Sequence, residues 1–181
     1  SNMVQRTHFD SAEIGGISTF WSPTGNQIAI SVGLFNLEDY WYEVYLMNAD
    51  GSGLESISVG INPLVIAWSP DGTKILLHAK HMIGETSYYD LFVMSAPTHE
   101  VIQVTNFDVG VGAAWSPDSD QIVFYWPGHG TFLINADGTN PTGLYCDAVI
   151  NGNEFAWTQD GTKLAYHPTF CSWSPSETSC G

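Results

Sequence analysis

The side chains best equipped for chemistry here are the histidines, three cysteines and a recurring set of aspartates. His78 and His167 each stand ten residues after a tryptophan, Trp68 and Trp157. Two imidazoles at equivalent places in a repeat could share a metal or a proton. The same count from Trp21 and Trp115 reaches Ser31 and Tyr125, so His78 and His167 are only weak metal candidates, and a hydrogen-bonded imidazole on a second strand is the competing account of each. His81 and His129 lie in the connections beyond, with no metal-ligand spacing behind them. An enzyme built on a histidine metal site is therefore the weakest reading, and elemental analysis of the purified protein tests it. Asp71, Asp118 and Asp160, with Asp50 and Asp137, could suggest calcium, but each sits where turn geometry already requires an aspartate. No Gly-x-Ser-x-Gly elbow, His-Glu-x-x-His pair, glycine-rich phosphate loop or EF-hand loop occurs.

Cys146, Cys171 and Cys180 form no Cys-x-x-Cys pair, which leaves zinc without support. Cys171 and Cys180 bracket a short polar loop that a disulfide could pin, implying an oxidising compartment; Cys146 is then a buried thiol or the alternative partner. The more promising cluster is aromatic. Gly33–Tyr42 carries Tyr40, Trp41 and Tyr42, and Lys80–Tyr89 carries Tyr88 and Tyr89, while the corresponding third segment shrinks to Pro127–Gly130 with His129. Long connections rich in tyrosine and tryptophan are where recognition surfaces are built. Packing against neighbouring structure is the competing explanation for any one of these rings.

The elements that must position these residues are set by a repeat. Phe20-Trp-Ser-Pro-Thr-Gly, Ala67-Trp-Ser-Pro-Asp-Gly, Ala114-Trp-Ser-Pro-Asp-Ser and Ala156-Trp-Thr-Gln-Asp-Gly align, with Trp21, Trp68 and Trp115 spaced by 47 residues and Trp157 following after 42. In each unit an apolar strand ends at the Trp and a Ser-Pro-Asp-Gly turn reverses the chain. A second strand follows at once: Gln27–Val32, Lys74–His78, Gln121–Tyr125 and Lys163–His167. Proline presets φ, aspartate caps its own backbone and glycine accepts positive φ. A third strand (Glu43–Met47, Asp90–Met94, Thr131–Ile134) leads into Asn48-Ala-Asp-Gly51 or Asn135-Ala-Asp-Gly138, and then a weaker fourth. Four antiparallel strands per unit, apolar on both faces, are stable only when stacked on their neighbours. That predicts an all-β β-propeller of four-stranded antiparallel blades, about four in this chain, with Trp21, Trp68, Trp115 and Trp157 wedged between blades.

The Trp-Ser-Pro-Asp-Gly turn followed by Val-Tyr-Leu-Met-Asn-Ala-Asp-Gly resembles the WD40-like (PD40) repeat of the TolB-like β-propeller family, over about residues 3–167. Thr24 in place of Asp, Ser119 in place of Gly, and Thr158-Gln159 in place of Ser-Pro depart from it. The resemblance implies a fold more strongly than a function, because such propellers serve as binding modules and as parts of larger enzymes.

Blade units are expected at about 15–58, 62–106, 110–146 and 150–175, with Ser1-Asn2 a tag remnant. Val4–Asp10 resembles Ile102–Asp108, an outer strand and its exit, so residues 3–9 are a candidate closing strand for the ring. The other route is a larger ring, completed by more chain or by self-association. Nineteen acidic against four basic residues, a net charge of −15, repel phosphate backbones and argue against nucleic acid. They suit solubility, a basic partner or calcium. No apolar run is long enough to span a bilayer. The expected function is a non-catalytic, protein- or peptide-binding scaffold of a periplasmic or extracellular protein. The alternative is the propeller portion of a larger exported hydrolase or carbohydrate-active protein.

Overall fold

The computed structural model describes residues 13–110, 112–145 and 155–166. Val4–Asp10, His167 and all three cysteines lie outside them. Among the described residues every element is a strand. The first unit comprises β1 (Glu13–Trp21), β2 (Gln27–Phe35), β3 (Tyr40–Asn48) and β4 (Glu55–Ile57). The second comprises β5 (Ile61–Trp68), β6 (Lys74–Ile83), β7 (Thr86–Ser95) and β8 (Val101–Gln103). The third comprises β9 (Ala113–Trp115), β10 (Gln121–Trp126), β11 (Gly130–Asn135) and β12 (Thr142–Tyr145), and β13 (Phe155–Trp157) with β14 (Leu164–Tyr166) opens a fourth. Each complete unit is one antiparallel sheet with its strands in sequence order. Among the described residues no helix is long and apolar enough to cross a membrane.

The tryptophan turns impose a common register. Trp21 pairs with Ile28, Trp68 with Ile75, Trp115 with Ile122 and Trp157 with Leu164. In every case the residue after the Trp donates its N–H five residues on, as from Ser69 to the Lys74 carbonyl at 2.9 Å and from Thr158 to that of Lys163 at 2.9 Å. The aspartate is consumed inside the turn: Asp71 Oδ1 accepts from Ser69 Oγ at 2.6 Å and from Thr73 N at 2.9 Å. The departures from the repeat keep this wiring. Thr158 Oγ1 donates to Asp160 as serine would, at 2.6 Å. Ser119 takes the glycine's left-handed backbone at φ 66° and buries its side chain against the second unit. There its Oγ accepts from Asp71 N at 3.0 Å and its carbonyl accepts from Lys74 Nζ at 3.3 Å, tying the third unit to the second.

Period-2 alternation puts apolar side chains on both faces of each sheet, and the units bury them by stacking. Ala29, Val44 and Leu46 meet Trp68, Ile75, Leu77 and Met94 between the first two units. Leu76, Leu91 and Val93 meet Trp115, Ile122, Phe124 and Ile134 between the second and third. The wedges are also bonded across the seam: Trp68 Nε1 donates to the Phe20 carbonyl at 2.8 Å, and Trp115 Nε1 to the Ala67 carbonyl at 3.4 Å. Trp68 and Trp115 keep only 7% and 6% of their surface, whereas Trp21 keeps 57%. The expected wedge role is thus filled by the middle two; Trp157 is half-buried and its Nε1 has no hydrogen-bond partner among the described residues. Trp21 lies on the face of the first unit turned away from the second.

Candidate functional site

The segments joining second and third strands are not loops. β2 and β3 run on to Phe35 and from Tyr40, closed by a tight turn in which Asn36 Oδ1 accepts from Glu38 N and Asp39 N, each at 2.8 Å. β6 and β7 likewise extend to Ile83 and from Thr86. The aromatic residues expected on loops therefore sit on hairpin arms, where side chains alternate between faces. Five rings in sequence cannot form one surface. Tyr40 and Tyr42 share the face toward the second unit, 5.1 Å apart edge to face. Tyr40 lies over the sheet itself, where a Cβ on Gly33 would collide with its hydroxyl. Trp41 points the other way, onto the cluster of Ile30, Val32, Leu34 and Met47, and donates Nε1 to Glu43 at 3.1 Å. Tyr88 sits by His81, with ring centroids 5.8 Å apart, on the face opposite Tyr89. His129 leans on Trp126 at 4.0 Å in the short third turn.

Tyr42 and Tyr89 occupy the same place in successive units, and the same device holds both. Tyr42 N donates to Asn62 Oδ1 at 3.3 Å, and Tyr89 N to Asp108 Oδ1 at 2.8 Å. Each capping residue stands in the segment entering the next unit, with left-handed backbone at φ 52° for Asn62 and 61° for Asp108. Asparagine and aspartate tolerate that conformation and carry the short acceptor it needs. The two caps draw three successive units around one cleft of about 400 Å³, lined among others by Tyr42, Asn62, His78, Tyr89, Asp108 and Pro127.

His78 forms the buried wall. Its Nε2 bonds the Val109 carbonyl at 3.1 Å and its ring stacks on Tyr89 at 5.2 Å, nearly parallel. Burial holds this imidazole below its ordinary range, against the opposing pull of the Val109 carbonyl and of Asp90 and Asp108, so it is neutral at pH 7. Beneath the cap lies Asp90, fully buried. Its Oδ1 accepts from Thr105 Oγ1 at 2.7 Å and from Phe107 N at 3.0 Å, which fixes the bend presenting Asp108. Burial raises the Asp90 carboxyl, against these bonds and nearby His81. His81 Nδ1 stands 3.0 Å from Asp90 Oδ2, close enough for electrostatic attraction but without the alignment of a hydrogen bond.

Of the expected binding residues the cleft thus gathers Tyr42 and Tyr89, joined by His78, which enters as wall rather than ligand. Tyr40 borders it, while Trp41, Tyr88 and His129 lie elsewhere. Asn62, Asp108, Val109, Gly110 and Pro127 line it without having been singled out. Asp108 closes the Ile102–Asp108 exit segment, and that recurrence was the available signal. A wider groove of about 650 Å³ between the turns of the second and third units involves Lys74, Glu100, Asp120 and Asp137. It offers less for recognition, since Lys74 already bonds Ser119 and Asp137 already accepts from Thr139 at 2.6 and 2.9 Å. Among the described residues no three histidine, cysteine, aspartate or glutamate side chains gather to hold a metal ion.

No protein-family model matches the sequence, and no curated protein matches it. Solved structures do. A protein from Agrobacterium tumefaciens described as a TolB superposes with a TM-score of 0.57 at 15% identity, over 82% of this chain and 68% of its own. The fold is that of a TolB-like β-propeller. TolB from Acinetobacter baumannii gives a TM-score of 0.55 at 21% identity over 85% of this chain, which spans 38% of that protein. An oligogalacturonate lyase in complex with manganese gives 0.63 at 11% identity over 83% of this chain and 44% of its own. The propeller here therefore spans less than half the length of the latter two.

Proposed function

We propose that this propeller is a non-catalytic protein- or peptide-binding scaffold of an exported protein, and that the cleft between Tyr42 and Tyr89 is its binding surface. The observation that carries this reading is the repeated cap: Asn62 and Asp108 fix equivalent tyrosines on adjacent units so that both border one cleft. Preformed concave sites with rigid aromatic walls and few polar groups favour binding, because little side-chain freedom is lost on association. Export is supported by the acidic composition and by the TolB-like fold. Selection of displayed peptides on the purified chain tests the surface. Selected peptides should lose capture by Tyr42→Ala with Tyr89→Ala while the unfolding midpoint barely moves; undiminished capture by that double variant refutes it.

A second reading is favoured by the span of the chain against the longer solved structures, one of them a lyase acting on oligogalacturonate. Here the propeller would be the portion of a larger exported hydrolase or carbohydrate-active protein that gates or positions substrate. The length of the parent reading frame decides it: a catalytic motif downstream of Gly181 favours this second reading.

A further inference from the structure

The cleft has a distinct charge. Asp108 is exposed, and no lysine or arginine is among the residues lining it. Lys80 pairs with Tyr89 across β6 and β7 but is not part of the lining. The one titratable base in the wall, His78, is kept neutral by burial. Asp108 is held toward the cleft, its Oδ1 accepting from the Tyr89 N–H and its bend pinned by Asp90; no described residue bonds Oδ2. Tyrosine faces flanking a fixed carboxylate are the surroundings in which an organic cation is most favoured, through ion pairing and cation–π attraction together. The surplus of nineteen acidic over four basic residues draws such a group in from a distance. A volume of about 400 Å³ suits one long side chain rather than a folded element.

We propose that this cleft accepts the cationic side chain of an arginine or lysine from the bound peptide. The inference rests on the binding reading above and names what that site selects.

The two caps supply a matched pair of variants. Asp108→Asn keeps an oxygen for the Tyr89 N–H, as Asn62 already does for Tyr42, and removes only the charge. Asn62→Asp adds a carboxylate at the equivalent position. The probes are N-acetyl-arginine amide and N-acetyl-lysine amide, with the neutral N-acetyl-citrulline amide and N-acetyl-norleucine amide as controls, titrated against the full chain by NMR. The arginine or lysine amide should shift the Tyr42, Tyr89 and Asp108 backbone signals saturably, and the neutral amides much more weakly. Asp108→Asn should weaken that binding about tenfold and Asn62→Asp should strengthen it, with thermal unfolding of both near wild type. Equal binding of citrulline amide, an unchanged affinity in Asp108→Asn, or binding of no probe overturns the inference. If peptides selected by display still depend on Tyr42 and Tyr89 in any of those cases, the binding reading survives and only its cationic selectivity falls. If those peptides ignore both tyrosines, the two fall together.

Discussion

Trp21 and Trp68 occupy the same place in the repeat, end the same kind of strand and pair with isoleucine seven residues on, yet one is 57% exposed and the other 7%. The turn after Trp21 is also intact, with Gln27 N donating to Ser22 Oγ at 3.1 Å. Local sequence therefore builds the turn, and packing against another sheet buries the indole. Trp68 and Trp115 have that sheet and bond to its backbone. Motif matching identifies the wedge; the seam gives it its energy.

The strongest way to break the contrast is truncation. Trp68→Ala or Trp115→Ala should destabilise the chain by about 3–5 kcal/mol in urea unfolding. Trp21→Ala should cost less, about 1–2 kcal/mol, since more than half of its surface stays in water. Equal losses would show that the indoles act within their own sheets. Removing the bond while keeping an aromatic ring is a finer cut. Trp68→Phe should cost about 1–2 kcal/mol. Trp115→Phe should cost less, because its bond is 3.4 Å long against 2.8 Å for Trp68.

The two seams also differ in their response to acid. Ser31 Oγ accepts from Val65 N at 2.9 Å across the first, while His78, at the same place in the second unit, donates Nε2–H to the Val109 carbonyl at 3.1 Å across the second. Because folding lowers the imidazole's pKa, the unfolded chain binds the proton more readily. The stabilisation is complete above the ordinary value of 6.5 and is lost as pH falls through the lower folded value. The stability difference between wild type and His78→Gln should shrink over that window, and a constant difference would contradict the burial. Asp160 behaves in the same sense much lower, held down to about 2 by Thr158 and Thr162. The smallest expected effect is at Ser119→Gly. Relief of the left-handed backbone offsets loss of the bond from Asp71 N, so stability should change by no more than about 0.5 kcal/mol.

The fold was legible because the tryptophan turn and the Asn-Ala-Asp-Gly turn recur in phase, and each carries its own hydrogen bonds within a few residues. The cleft was only half legible. Tyr42 and Tyr89 stand out as aromatic residues, but sequence proximity grouped them with Trp41 and Tyr88, which strand alternation sends to the opposite face. Asn62 and Asp108 lie 20 and 19 residues from the tyrosines they cap, so their role exists only once units stack. His78 announced itself by position, yet its neutrality and its bond to Val109 follow from burial that no spacing encodes.

The indole bonds of Trp68 and Trp115 both run from a later unit to the backbone of the one before it, while the enclosed Nε1 of Trp157 has no partner among the described residues. A seam of this kind has a direction, one side giving the indole N–H and the other a carbonyl beside its own tryptophan, so consecutive units are fastened head to tail rather than face to like face.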